Sequence, residues 1–180
     1  EATIVLDLKK SHNIGRGKDT PLEYSVKIAA SISRYLLLEQ QSIVQLIGYG
    51  KDFVISPFNK GDFGYHSVME YLAQVEADGE HDMADVLGEA AYITGRNSTL
   101  IVFLLDKDEA ALEALSQFKT RGIEPIVFIF DSDSFFDSGV NDSTTTTRIF
   151  PELMGLGVTI YYISCKDDLQ AKFEVPSQAR

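Results

Sequence analysis

Short runs of apolar, β-branched residues alternate along the chain with longer stretches whose apolar positions recur at helical spacing. The runs are 3–8, 42–48, 52–56, 99–105, 124–130 and 158–163; the helical stretches are 22–38, 67–75, 83–93, 109–118 and 147–154. Strands separated by helices predict βαβ units around a mostly parallel sheet. One pair breaks the pattern. Runs 42–48 and 52–56 are joined only by Tyr49-Gly50-Lys51, too short for a parallel crossover, so they form a hairpin. Pro57 follows the second run directly, which fits an edge strand. The prediction is a three-layer α/β fold: a six-stranded, mostly parallel, Rossmann-like sheet with one antiparallel edge strand and helices on both faces.

Local signals agree with these boundaries. Thr20-Pro21-Leu22-Glu23 is a capping box with proline at the first helical position. Gly95 and Gly122 follow helical patterns and read as left-handed C-caps. The tract Ser143-Thr144-Thr145-Thr146-Thr147, with Asp137-Ser138-Gly139 before it, reads as a polar loop leading into a short helix.

Composition narrows the functional classes. At 180 residues, 44% hydrophobic and 24% charged, the chain reads as a single globular domain spanning residues 1–180. A net charge of −11 argues against nucleic acid as a partner, since neutralising phosphates needs a basic surface. An acidic surface suits cations or basic partner surfaces. The lone Cys165 can form no internal disulfide, fits a reducing compartment, and reads as a packing residue. No apolar stretch approaches the roughly 20 residues of a membrane span. The chain begins at Glu1 and reads as a domain excised from a longer one.

Candidate chemistry collects at strand ends. The first run, Thr3-Ile4-Val5-Leu6, stops at Asp7-Leu8-Lys9-Lys10-Ser11; Asp106 ends the run 99–105, and Asp131 and Asp133 follow 124–130. In an open α/β sheet, ligands and partners bind in the crevice beyond the carboxyl ends of the strands. Aspartates also end strands simply by capping the next turn, so each alone is ambiguous.

Competing motifs are weaker. Gly15-Arg16-Gly17-Lys18-Asp19-Thr20 lacks the glycine a phosphate loop needs four residues before its Gly-Lys pair, and Asp19 separates Lys18 from the hydroxyl. Asp131-Ser132-Asp133 resembles the strand-end Asp-x-Asp of haloacid-dehalogenase-like phosphotransferases, where the first aspartate is the nucleophile. That motif normally opens its fold, whereas here a single strand follows it. Asp131, Asp133 and Asp137 lack the EF-hand glycine for Ca²⁺. His12 and His66 have no serine or cysteine at telling spacing, and Cys165 has no identifiable base. The aromatics Phe53, Phe58, Phe63, Tyr65, Tyr71, Phe135 and Phe136 read as core and loop anchors.

Four stretches in order carry a family resemblance: Thr3-Ile4-Val5-Leu6-Asp7, the helix 22–30, Asp82-Met83-Ala84-Asp85-Val86-Leu87, and Leu100-Ile101-Val102-Phe103-Leu104-Leu105-Asp106. Over nearly its whole length the chain resembles the von Willebrand factor A-like domains. More narrowly it is similar to the bacterial domain-of-unknown-function family fifty-eight, whose members are typically encoded beside MoxR-type AAA+ ATPases. In the wider family Asp-x-Ser-x-Ser ends the first strand. With a threonine from a later loop and an aspartate from the fourth strand, it holds a Mg²⁺ or Mn²⁺ whose open position takes a partner's carboxylate.

The resemblance places Asp7, Ser11 and Asp106 at the first aspartate, second serine and fourth-strand aspartate, the candidate metal ligands. Lys9 replaces the first serine, and His81 stands where the threonine is expected. An ammonium group has donors only and cannot ligate a metal, and a hard cation prefers oxygen to the imidazole of His81. The expectation is a degenerate metal-ion-dependent adhesion site in which the Lys9 ammonium pairs with Asp7 or Asp106 in the cation's place.

Taken with the resemblance, these residues imply a non-enzymatic protein-binding module without a cofactor. Its partner-binding rim comprises Asp7, Lys9, Ser11, His81 and Asp106, and its expected partner is a MoxR-type AAA+ ATPase. Two alternatives stand beside it: a metal-dependent domain using Mg²⁺, Mn²⁺ or a softer ion, and a small phosphotransferase using Asp131. The implied location is cytoplasmic, within a bacterial protein that a membrane anchor upstream of this segment can tether.

Overall fold

A computed structural model describes residues 1–136 and 149–174. The elements run β1 (Ala2–Leu6), α1 (Pro21–Arg34), β2 (Val44–Tyr49), β3 (Phe53–Ile55), α2 (Gly61–Gln74), α3 (Met83–Ile93), β4 (Thr99–Leu105), α4 (Ala111–Thr120), β5 (Glu124–Phe130), α5 (Ile149–Gly155), β6 (Thr159–Ile163) and α6 (Leu169–Glu174). The tract 143–147, Asp137-Ser138-Gly139 and the start of the predicted helix 147–154 lie outside the described residues.

The strands form one six-stranded sheet in the order β3-β2-β1-β4-β5-β6. All neighbours are parallel except β2 and β3, which pair antiparallel with Gly48 opposite Val54. From β1 the chain moves outward through β2 and β3, then returns to the other side of β1 as β4. The strand order therefore reverses between β1 and β4, and their carboxyl ends flank the crevice where such folds bind ligands.

Both faces of the sheet are covered, which explains the near-continuous apolar runs. Ile4, Leu6, Phe103, Phe128 and Phe130 point to one face, under Ile28 of α1, Val68 and Leu72 of α2 and Phe173 of α6. Val5, Val102, Leu104, Val127 and Ile129 point to the other, against Met83 and Leu87 of α3, Leu115 and Phe118 of α4 and Leu153 of α5. Thr20 caps α1 as expected, accepting from the Glu23 N–H at 3.3 Å. That helix continues through a π-helical turn, Tyr35–Glu39, closed by the Gln40 N–H donating to the Tyr35 carbonyl.

Two local expectations need correction, and one element is additional. The helix predicted over 67–75 starts at Gly61, where Gly64 lets it press onto Asn59, whose carbonyl carbon lies 2.8 Å from where a Cβ would stand. Gly95 is not a left-handed cap. Thr94 ends α3 in extended geometry, and Asn97 takes the positive φ of 60°. Helix α6 went unpredicted because six residues carry too little periodicity; it is held by Phe173 packing edge-on against Phe128 and Tyr161.

Phe103 lies fully buried between Phe128 and Phe130 at ring separations of 5.2 and 6.2 Å. Truncating it to alanine removes a large apolar group from a close-packed layer. Phe103→Ala is expected to cost about 3–5 kcal/mol, read from urea unfolding.

Candidate functional site

The sheet's faces are buried under helices, and at the carboxyl edge, where Asp7 and Asp106 emerge, the loop after β1 sets the geometry. Leu8 and Lys10 hydrogen-bond through their backbones to Gly79, at 2.9 and 2.8 Å, so the segment leading into α3 lies alongside this loop. Gly79 is required there. A Cβ on it would stand 2.4 Å from the Tyr49 carbonyl oxygen.

Two charge pairs result. The Lys9 ammonium donates to Asp82, the residue before α3, across 73 positions of sequence. This hydrogen bond and the mutual attraction raise the Lys9 pKa and lower that of Asp82. The second pair joins the His12 Nδ1 to Asp7 Oδ2 at 2.7 Å. Burial opposes charge on the His12 ring, but the hydrogen bond and the negative charge of Asp7 outweigh it and raise the His12 pKa. The other Asp7 oxygen accepts the Lys9 backbone N–H at 3.1 Å.

Asp108, at the turn after β4, is the residue without compensation. It is only 9% exposed, and its Oδ2 is sealed from solvent with no hydrogen-bond partner. Burial, reinforced by the charges of Asp7 and Asp82, pushes its pKa up to about 6, although His12 and Lys9 act in the opposite sense.

The predicted rim residues divide accordingly. Asp7 and Asp106 do emerge at the same edge, from hydrogen-bonded neighbours β1 and β4. Asp106 is 3% exposed and turns toward β5, where its Oδ1 accepts from the Ser132 hydroxyl at 2.6 Å and the Ser132 N–H at 3.3 Å. Burial raises its pKa, and the Ser132 bonds temper the shift. The expected pairing of Lys9 with Asp7 or Asp106 is corrected: its ammonium meets Asp82, because only its backbone N–H faces Asp7. Ser11 is exposed on a short 3₁₀ turn, Lys10–His12. His81 stacks its ring on Tyr49 at 3.6 Å between centroids.

Three groups at this edge carry little signal in the sequence. His12 has no serine or cysteine at telling spacing, and its partner is the acid five residues earlier, Asp7. Asp82 signalled itself only as the helix cap beside His81, and Asp108 only as the second acid of Asp106-Lys107-Asp108. Further along the edge, Asp133 pairs with Lys107 at 2.8 Å and Asp131 Oδ2 accepts from Ser164 at 3.3 Å.

A hard divalent cation needs a near-octahedral set of oxygen ligands. Both Asp7 oxygens and one of Asp106 are already engaged, and Lys9, in the place of the first serine, offers no ligand oxygen on its side chain. Among the described residues, no three carboxylate, imidazole or thiol groups are gathered as a metal requires. As arranged, this donor set does not fit such a cation.

No family profile matches the sequence, and no curated protein matches it. Solved structures do. The conserved hypothetical protein BatB from Bacteroides thetaiotaomicron superposes with a TM-score of 0.68 at 17% identity, covering 96% of this chain and 93% of that one. A von Willebrand factor type A protein from Catenulispora acidiphila gives 0.57 at 14% identity, covering 96% of this chain and 40% of that one. Proximal thread matrix protein 1 from the mussel byssus, described with a zinc-occupied MIDAS motif, gives 0.59 at 13%, covering 96% and 43%. This chain thus spans less than half the length of the latter two. The six-stranded, mostly parallel sheet with its antiparallel edge is a von Willebrand factor A-type fold.

The Asp108 geometry has a measurable consequence. A carboxyl group whose pKa rises on folding, from 3.8 to about 6, opposes folding at neutral pH and stops doing so as pH falls below that range. Asp108→Asn is therefore expected to stabilise the protein by about 1–3 kcal/mol at pH 7.5, a gain that shrinks toward pH 4, as read from urea unfolding at both pH values.

Proposed function

We propose that the chain is a non-enzymatic protein–protein interaction module whose metal-ion-dependent adhesion site is degenerate. Its rim is Asp7, Lys9, Ser11, His81 and Asp106, joined by His12 and Asp82, and it contacts a protein partner through side chains that already carry both signs of charge. One observation supports this above others: the ammonium of Lys9 sits on Asp82 and the imidazole of His12 on Asp7, so the donor groups of the protein itself, the imidazole once protonated, meet the carboxylates that a bridging cation would meet. The fold is compatible with many functions, so the reading rests on these residues and not on the architecture. Family resemblance makes a MoxR-type AAA+ ATPase the partner, on the cytoplasmic side of the membrane. No described helix is long and apolar enough to cross a membrane. A tether for the domain would come from outside this segment.

A ligand of the native state raises its melting temperature. Titration with Mg²⁺, Mn²⁺ and Zn²⁺ to millimolar concentration is expected to leave the melting temperature unchanged; a rise of several degrees with any of them would favour a metal-dependent domain instead. Lys9→Ser restores the hydroxyl. It is expected to lower stability without metal by less than about 1 kcal/mol, the range of a partly exposed ion pair, and to introduce a Mg²⁺ or Mn²⁺ response. A variant that stays indifferent on both counts contradicts the role given to Lys9.

A further inference from the structure

Helices α3 and α4 cover the same face of the sheet, and an open groove of about 980 Å³ runs between them. It starts at the rim, beside His81, and follows α3 to its last turn. The helices leave it open because α3 lines it with Ala84, Gly88 and Ala91, whose spacings of four and three share one helix face. A Cβ on Gly88 would meet nothing within 4 Å, so the backbone there can be approached closely. Aromatic rings stand at both ends. Tyr92 is 89% exposed, and at the rim the ring of His81 stacks on Tyr49. Large aromatic side chains of this kind anchor protein interfaces once a partner covers them.

Charge selects what fits. Asp85 and Glu89 are exposed along the α3 wall, while Arg121 at the end of α4 donates to the Ala91 carbonyl. With a net charge of −11 on the chain, the field draws a positive partner toward this wall. A second copy would bring the same acids to the same place, so that field opposes self-docking.

We infer that the groove between α3 and α4 takes an amphipathic helix of a protein partner, with apolar residues on its inner side and lysine or arginine along its flank. Packed helices lie about 8–10 Å apart, depending on the side chains between them, and the short side chains of α3 allow the close end of that range. The apolar side of the incoming helix would cover Tyr92 and the alanines, and its basic flank would meet Asp85 and Glu89. This deepens the reading above by giving the partner's chemistry, and it rests on that reading for the partner being a protein.

The probe is a peptide of about 15 residues, long enough to be helical, with leucine and alanine on one face and lysine on the other. Its counterpart carries glutamate in place of every lysine. In an ¹H–¹⁵N NMR titration the lysine peptide is expected to shift the amides of Ala84, Gly88 and Tyr92, and to bind less tightly as salt rises. It should bind about tenfold or more weakly to Gly88→Gln, whose side chain occupies the groove. Glutamine is a better helix former than glycine, so an unchanged or raised melting temperature verifies that this variant is folded. Asp85→Lys combined with Glu89→Lys is expected to reverse the preference between the two peptides. Equal binding to Gly88→Gln, or a glutamate peptide that binds the native protein as tightly, would overturn the inference. So would shifts of the same amides with protein concentration alone, which would assign the groove to a second copy. Shifts confined to Asp7, Lys9 and Asp106 would overturn the groove and keep the rim, whereas silence from every amide would overturn the groove and leave the rim to its metal titration.

Discussion

The pairing of Leu8 and Lys10 with Gly79 governs the rest of the carboxyl edge. Two backbone hydrogen bonds there join the end of the central strand to the entry of α3. Because Gly79 has no side chain, the same segment also fits against Tyr49 and Gly50 of the β2–β3 turn, and three residues on Asp82 meets Lys9. Without that contact, Lys9 would have to find Asp7, Asp106 or water, and the edge would have a different charge pattern. The site is thus set by main-chain geometry first and by side-chain chemistry second.

The fold was largely legible in the sequence because both faces of the sheet are buried. Continuous apolar runs marked β4 and β5 to their terminal residues, and the three-residue link after β2 disclosed the hairpin. What escaped were features held by tertiary contact. The first turns of α2 are held by the contact of Gly64 with Asn59, and α6 is too short to show a period while Phe173 anchors it.

The site was legible only in part, for a related reason. Topology alone put Asp7 and Asp106 on neighbouring strand ends, so their common edge followed from the strand order. Which acid each base chooses depends on directions that spacing does not encode. Lys9 turns its N–H, not its ammonium, to Asp7, which leaves Asp7 to His12. Asp106 leans toward Ser132, the exposed carboxylate of Asp82 takes Lys9, and the Oδ2 of Asp108 stays buried without a partner. An arrangement of this kind holds its shape through mutual neutralisation, yet it keeps one acid in an unfavourable setting.

The hairpin has a consequence for how the molecule behaves in a crowded solution. β3 is the outermost strand on its side, only three residues long, with Lys51 and Asp52 before it and Pro57 after it. A free strand edge is a template for pairing with another chain, and brevity, charge and proline are the common means of blunting it. Val54 and Ile55 are partly exposed there, so the shortness of the strand is the main guard against runaway association between sheets.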